Sequence, residues 1–249
     1  MREPNLLIIS NRFEETNLEE DVKAEFVKWN WPLKKLWTFS DYHVVIIDFS
    51  FNEDEFKEIN REIYDSLGGR LLEVIEGLIV IVICGYPKEK FNIYVPRSRP
   101  DESRYLYSQT TYYDPEDLSK EVVKEERDSY TFLQGVPIGI YDRLTPEPSR
   151  IYGKKIKSPF KEYFNLTDIA HLTIQYSPPP SDISIEPISR TSGVGKDRYC
   201  VGALIEIEKG NLILLPGYNK LKKNEALLSL IKISKELYRK QQKLKEREQ

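Results

Sequence analysis

The chain has 249 residues, 40% hydrophobic and 31% charged, enough for one large domain or two small ones with a sizeable core. Its 37 basic and 40 acidic side chains leave a net charge of −3, which excludes a global field able to draw the protein to nucleic acid or a membrane and leaves only local patches for such binding. No apolar run approaches the roughly 20 residues that a bilayer-spanning helix needs.

The opening stretch, MREPNLLIIS, passes quickly into a strand over 5–10 and has neither the apolar core nor the small-residue cleavage site of a signal peptide, so a cytoplasmic location is expected. A second aliphatic run, HVVIIDF over 43–49, also ends in polar residues, the pattern of a parallel strand. Between them, 18–29 reads as a helix with Val22, Phe26 and Trp29 on one side. After Asp48, Asn52 is a helix N-cap, and Phe56, Ile59, Ile63 and Leu67 recur at helical spacing until Gly68-Gly69 ends the element. A short second helix or helical turn over 70–76 feeds the run LIVIVIC, 78–84, which is bounded by Gly77 and Gly85-Tyr86-Pro87. Continuous, β-branched and apolar, it predicts a central strand buried on both faces. The first ninety residues thus read as β-α-β-α-β with right-handed crossovers.

Beyond Lys88 the pattern loosens. Phe91 to Val95 is a strand, 97–150 is polar, Tyr-rich and Pro-punctuated, and Pro178-Pro179-Pro180 marks a surface turn. Two apolar runs, 200–208 and 212–215, flank Lys209-Gly210-Asn211 as a hairpin closed by Pro216-Gly217. From Asn224 the chain is helical, with an apolar stripe of Leu227, Leu228, Ile231, Leu237 and Tyr238 followed by a charged tail. The expected fold class is α/β: an open, mostly parallel sheet flanked by helices, with an irregular Tyr/Pro-rich insertion, a late β-hairpin and a C-terminal helix. Residues 1–95 form the β-α-β-α-β half of the main domain and 96–165 an insertion or cap. Residues 166–222 supply the remaining strands and the hairpin, and 223–249 the amphipathic helix with its charged tail.

The order NLLIIS, HVVIIDF, a helix ending in Gly68-Gly69, LIVIVICG, and a late hairpin IEIEKGNLILLPGY followed by a helix resembles the class I glutamine amidotransferase-like, flavodoxin-like α/β proteins. The phrase Gly210-Asn211-Leu212-Ile213-Leu214-Leu215-Pro216 resembles the G-x-[IL]-x-[IL]-[LI]-P of their non-enzymatic branch. In the catalytic branch a Cys within G-x-C-x-G works with a downstream His followed two residues later by Glu. Here Val82-Ile83-Cys84-Gly85-Tyr86 lacks both flanking glycines, and Thr173 stands two residues beyond His171. The resemblance therefore implies the non-catalytic branch.

The residues read the same way. Cys84 lies at the carboxyl end of a strand, where nucleophiles of open α/β sheets sit. A reactive thiol, however, needs a helix N-terminus and an adjacent imidazole. Only Pro87 to Lys90 separate the Cys84 turn from the next strand, which leaves no room for that helix, so Cys84 reads as packing. Two cysteines, one methionine and abundant Lys, Glu and Ile match a thermophile's usage. In a hyperthermophile a Cys84–Cys200 disulfide is compatible with the cell interior; otherwise both are buried thiols. His43 and His171 read as packed or surface residues, and histidines and cysteines this scattered make no zinc site. The segment 190–197 fails as a phosphate loop, with Arg190 and Asp197 where a Gly and a Ser or Thr are required.

Two candidate sites remain. Ser10, Asp48 and Cys84 stand at strand ends, where a small-ligand pocket would form; Asp48 alone is expected to cap the next helix or tie down a loop. Arg97, Arg99 and Arg104 interleave with Tyr105, Tyr107, Tyr112 and Tyr113, with Lys154, Lys155, Lys157 and Lys161 beyond, a composition suited to single-stranded nucleic acid or to a protein interface, or, with Asp101, Glu102 and Asp114 diluting the charge, to plain solvated surface. Together with the projecting C-terminal helix, these features lead to the expectation of a non-enzymatic accessory subunit in a nucleic-acid-handling or defence complex, binding a protein partner and needing no cofactor, metal or membrane. The alternatives are a cysteine hydrolase or amidotransferase using Cys84 and His171, and a small-ligand sensor.

Overall fold

The computed structural model describes residues 3–15, 18, 22–30, 39–50, 53–60, 62, 77–86, 89–96, 122–129, 138–142, 156, 158–167, 172–176, 183–189, 199–200, 202–207 and 210–248. The aliphatic runs at the start of the chain form strands β1 (Asn5–Ile9), β3 (Val44–Ser50) and β4 (Ile79–Tyr86), with β2 (Lys23–Val27) between the first two in sequence. After β3 comes a short helix, α1 (Glu53–Lys57). Strands β5 (Glu89–Pro96) and β6 (Val122–Ser129) pair antiparallel as a two-stranded sheet. A three-stranded sheet joins β7 (Ile138–Asp142), β8 (Leu172–Tyr176) and β10 (Tyr199–Cys200). Helix α2 (Lys161–Phe164), strands β9 (Ile183–Pro187), β11 (Ala203–Ile207) and β12 (Gly210–Pro216), and helix α3 (Lys223–Glu248) complete the described elements.

The main sheet has seven strands in the order β2-β1-β3-β4-β12-β11-β9. Pairing is parallel from β2 across to β12, then antiparallel on both sides of β11, so β11 alone runs against the rest. This is the expected α/β sheet with its late hairpin and C-terminal helix. Val44 to Ile47 and Ile79 to Ile83 are wholly inaccessible, as a strand covered on both faces requires. Of the span 166–222, β9, β11 and β12 join this sheet, whereas β8 and β10 lie with β7 in the separate one. Near the end of the expected insertion, Phe160, Tyr163 and Phe164 pack into the core.

The pleat divides the core in two. Leu7, Ile9, Val45, Ile47, Val80 and Val82 face one side with Trp29, Phe49 and Ile59, and Phe56 of α1 packs against them. Leu6, Ile8, Val44, Ile46, Ile79, Ile81 and Ile83 face the other, under α2 and α3. Helix α3 lays Ala226, Leu227, Leu230, Ile231, Ile233 and Tyr238 on that face, a three-to-four residue spacing in which each fully buried aliphatic side chain contributes about 1.5–3 kcal/mol. Ion pairs fix its lie: Lys232 with Glu162 at 2.6 Å, and Arg239 with Glu3 at 2.8 Å.

Three expectations need correction. Within the helix expected over 18–29, residues 23–27 instead form the edge strand β2, paired in parallel with β1. Val22, Ala24 and Phe26 pack on the core while Lys23 and Glu25 are exposed, a period of two that outweighs the weaker helical match. Leu228, read into the apolar stripe of α3, is 45% exposed, one helical step away from the buried line. In the hairpin, Ile207 pairs with Gly210, so Gly210 and Asn211 belong to β12 rather than to the turn. Of the helix expected over 52–67, the structure describes α1; the segments 63–76, 178–180 and 190–197 lie outside the described residues.

Among the described residues no helix is long and apolar enough to cross a membrane. Gly202, leading into β11, has φ +92°, and a Cβ there would stand 2.9 Å from Phe164 Cζ and 3.2 Å from the Leu214 carbonyl oxygen. Gly202→Ala is therefore expected to cost about 1–3 kcal/mol, read as a lower midpoint in thermal unfolding; an unchanged midpoint would show the turn to be relaxed.

Candidate functional site

Asp48 stands at the carboxyl end of β3 with 2% exposure. A carboxylate so buried has to meet donors in place of water. Ser10 Oγ, just past β1, donates to Oδ2 at 2.7 Å, and the Tyr218 hydroxyl, just past β12, donates to the same oxygen at 3.0 Å. On the other side the Ser50 backbone N–H donates to Oδ1 at 2.8 Å, and the Ser50 hydroxyl donates there too. Ser10 Oγ also accepts the backbone N–H groups of Arg12 at 3.0 Å and Phe13 at 3.2 Å, which turns the chain as it leaves β1.

The compensating charge is one hydroxyl away. Arg12 donates to Ser50 Oγ at 2.9 Å and to Glu55 Oε2 of α1 at 2.6 Å, and Lys220 lies 3.8 Å from the other Glu55 oxygen. The Trp29 indole N–H donates to the Asp48 carbonyl at 2.9 Å, so backbone and side chain of Asp48 are both engaged. Tyr218 stacks on Phe13 with ring centroids 5.3 Å apart and planes at 19°. Burial, and then the Asp48 carboxylate, push the Tyr218 phenol far above its ordinary value; Ser50 and Arg12 oppose this. Tyr163, which donates to the Pro216 carbonyl at 2.7 Å, is raised by the same two causes in the same order. Both phenols are neutral donors at physiological pH rather than bases.

Outside this network opens a crevice of about 480 Å³. Asn11, Arg12, Lys28 and Asn30, from the chain leaving β1 and β2, line one side; Asp48, Ser50, Glu55 and Glu58, from β3 and the α1 region, line the other. Lys28 Nζ donates to the carbonyls of Asn11 at 3.3 Å and Phe13 at 3.2 Å, and Asn11 Oδ1 accepts the Trp29 N–H at 2.8 Å. The strands that bound the crevice are consecutive in the sheet, with β2 on one side of β1 and β3 on the other. Strand order departs in opposite directions from that point, the place where open α/β sheets leave room for a ligand.

The structure thus brings Ser10 and Asp48 into contact, while Cys84 packs in the other cluster, within electrostatic reach of Tyr163. Cys84 is 4% exposed and clusters with Val80 and Val82 on the α1 side, whereas the carboxylate of Asp48 meets Tyr218 on the α3 side. Its thiol is not in a disulfide, so the Cys84–Cys200 bond considered from composition does not form. Strand β4 runs on to Tyr86 and β5 begins at Glu89, which leaves no helix N-terminus at the thiol. His43 lies at the opposite, amino end of β3, where Nδ1 accepts the Asn5 N–H at 2.9 Å and the ring packs on Tyr238 at 4.8 Å. His171 and the set Arg97, Arg99, Arg104, Tyr105, Tyr107, Tyr112, Tyr113, Lys154, Lys155 and Lys157 lie outside the described residues; Lys161 is exposed on α2. Among the described residues no group of three or more His, Cys, Asp and Glu is placed to hold a metal ion.

Sequence reasoning missed Arg12, Lys28, Ser50, Glu55 and Tyr218. The available signal was position: Ser10-Asn11-Arg12, Asp48-Phe49-Ser50 and Pro216-Gly217-Tyr218 each carry polar side chains where an aliphatic strand ends. No family model matches the chain, and no curated protein matches it in sequence.

Tyr218→Phe removes one donor from a buried carboxylate and is expected to lower stability by about 1–3 kcal/mol in urea denaturation; wild-type stability would mean that the phenol does not serve Asp48. Burial, and then Lys245, lower the His43 pKa, and an Nδ1 that accepts an amide N–H requires the neutral ring. The unfolded chain therefore takes up the proton first, near pH 6.5. The His43 contribution is complete above that value and is lost as pH falls toward the lowered folded value. Denaturation midpoints measured across this window should fall with pH, and His43→Gln should flatten the fall; a slope unchanged in the variant would assign it elsewhere.

Proposed function

We propose that this chain is a non-enzymatic binding module that holds a small polar ligand in the crevice at the carboxyl ends of β1, β2 and β3. The observation that carries this reading is the hydrogen-bonded set of Ser10, Asp48, Ser50, Arg12 and Glu55, which holds the crevice wall in one geometry before any ligand arrives. Such preorganisation favours affinity because ordering costs are met on folding. Against a cysteine hydrolase stand the burial of Cys84 on the opposite face and the lack of a helix N-terminus behind it. Asp48 has its lone pairs filled by Ser10, Tyr218 and Ser50, which suits a wall rather than a general base.

A second reading, an accessory subunit that docks a protein partner through α3, is supported by the far end of that helix. Lys243 to Arg247 are exposed, and Leu244 among them is 59% exposed. The two readings are compatible, since Tyr218 joins the crevice wall, through Asp48, to the segment that leads into α3.

Ligand-observed NMR with a mixture of polar metabolites tests the first reading. Bound signals are expected from the wild type, and they should vanish in Asn30→Trp, where an exposed residue of the rim is replaced by a side chain that fills the crevice. Absence of any bound compound, or binding that survives the block, would rule the crevice out as the binding site.

A further inference from the structure

Taking the crevice as a ligand site, we infer that its ligand is a small zwitterion with one carboxylate and one ammonium group, of the free α-amino acid type. Most charges of the crevice are already used by the fold. Arg12 lies between two carboxylates, 2.6 Å from Glu55 and one hydroxyl from Asp48, and Lys220, 3.8 Å from Glu55, brings these four charges into balance. Asp48 is hydrogen-bonded through both carboxylate oxygens to Ser10, Tyr218 and Ser50. One group of each sign is left over.

Lys28 is the cation. Its ammonium is held by two neutral acceptors, the carbonyls of Asn11 and Phe13, which leaves one N–H of its three and its whole charge without a carboxylate partner among the described residues. Glu58 is the anion; among the described residues no ion pair meets its carboxylate, which stands exposed at the rim. The same crevice is lined by the carboxamides of Asn11, whose oxygen is taken by the Trp29 backbone N–H, and of Asn30, which can bridge to either kind of group. A single anion would gain from Lys28 and lose to Glu58, and a single cation would do the reverse. A neutral polyol would leave both charges unanswered. A molecule that carries both signs satisfies Lys28 with its carboxylate and Glu58 with its ammonium, and so makes charge-assisted hydrogen bonds at each end. Specificity of this kind comes as much from rejecting the singly charged analogue as from accepting the right one.

The test is titration calorimetry of the full chain with each of the common free α-amino acids, with inorganic phosphate and with a neutral polyol such as glycerol. It continues with the amine and the carboxylic acid obtained by deleting one charged group from the best binder. The amino acid should bind, and each analogue should bind about tenfold or more weakly, the usual consequence of losing a hydrogen bond between charged groups. Glu58→Gln, at an exposed position, should abolish the preference for the ammonium-bearing ligand over the bare acid. Lys28→Met should abolish the preference for the amino acid over the bare amine. Amino-acid binding with discrimination untouched by either substitution would overturn the inference, as would failure of every amino acid to bind. If phosphate or glycerol binds instead and Asn30→Trp blocks it, the zwitterion falls and the crevice stands. If nothing in the series binds, the zwitterion falls, and the crevice itself stands or falls by the NMR screen.

Discussion

A carboxylate buried at the end of a central strand governs how the rest of this molecule is put together. Taking Asp48 out of water would cost several kcal/mol with no donors to replace it, and hydrogen bonds to a charged group return about 1.5–3 kcal/mol each. Those donors come from three separate stretches: Ser10 after β1, Ser50 within β3, and Tyr218, which lies 170 positions further along the chain. The demand of one side chain thus draws the carboxyl ends of β1, β3 and β12 to a common point. Tyr218 also directs the chain beyond it, for the next residue, Asn219, accepts the Leu221 N–H at 2.9 Å and opens the turn that leads into α3. The helix that, together with α2, covers one face of the sheet is launched from the Asp48 network.

The pleat then decides which strand-end residues can act together. Side chains at even spacing along a strand share a face, and neighbours in sequence do not. Ser10 follows Leu6 and Ile8 onto the α3 side, and Asp48 follows Val44 and Ile46; Cys84 follows Val80 and Val82 onto the α1 side. Three residues that occupy equivalent strand ends in the sequence are therefore divided between two environments. One is polar and braced by Arg12, the other closely packed and apolar.

Much of this fold was legible because the strands that matter are apolar and continuous. LIVIVIC at 78–84 and VVII at 44–47 carry their identity in composition, and the hairpin into LPGY carries its own in turn residues. The edge strand β2 was not legible in the same way. Its sequence KAEFV alternates over five residues, while Val22, Phe26 and Trp29 offer a competing helical spacing, and only the neighbouring β1 settles which wins. The site was half legible. That Asp48 and Ser10 stand at strand ends follows from the runs before them, whereas Tyr218 reaches Asp48 only because β12 inserts beside β4, a non-local pairing that no local pattern encodes.

That insertion also orders events during synthesis. Strand β4 lies between β3 and β12, and its partner on the second side begins at Gly210, well over a hundred residues downstream of Tyr86. A ribosome adding about 5–20 residues per second needs on the order of ten seconds to cover that interval. Throughout it, the most apolar strand of the molecule has emerged with one backbone edge and both faces short of their native cover, the state most open to mispairing with another nascent chain. The late hairpin supplies the last strands of the main sheet, and until β12 has left the ribosome that edge of β4 is open to pairing with another chain.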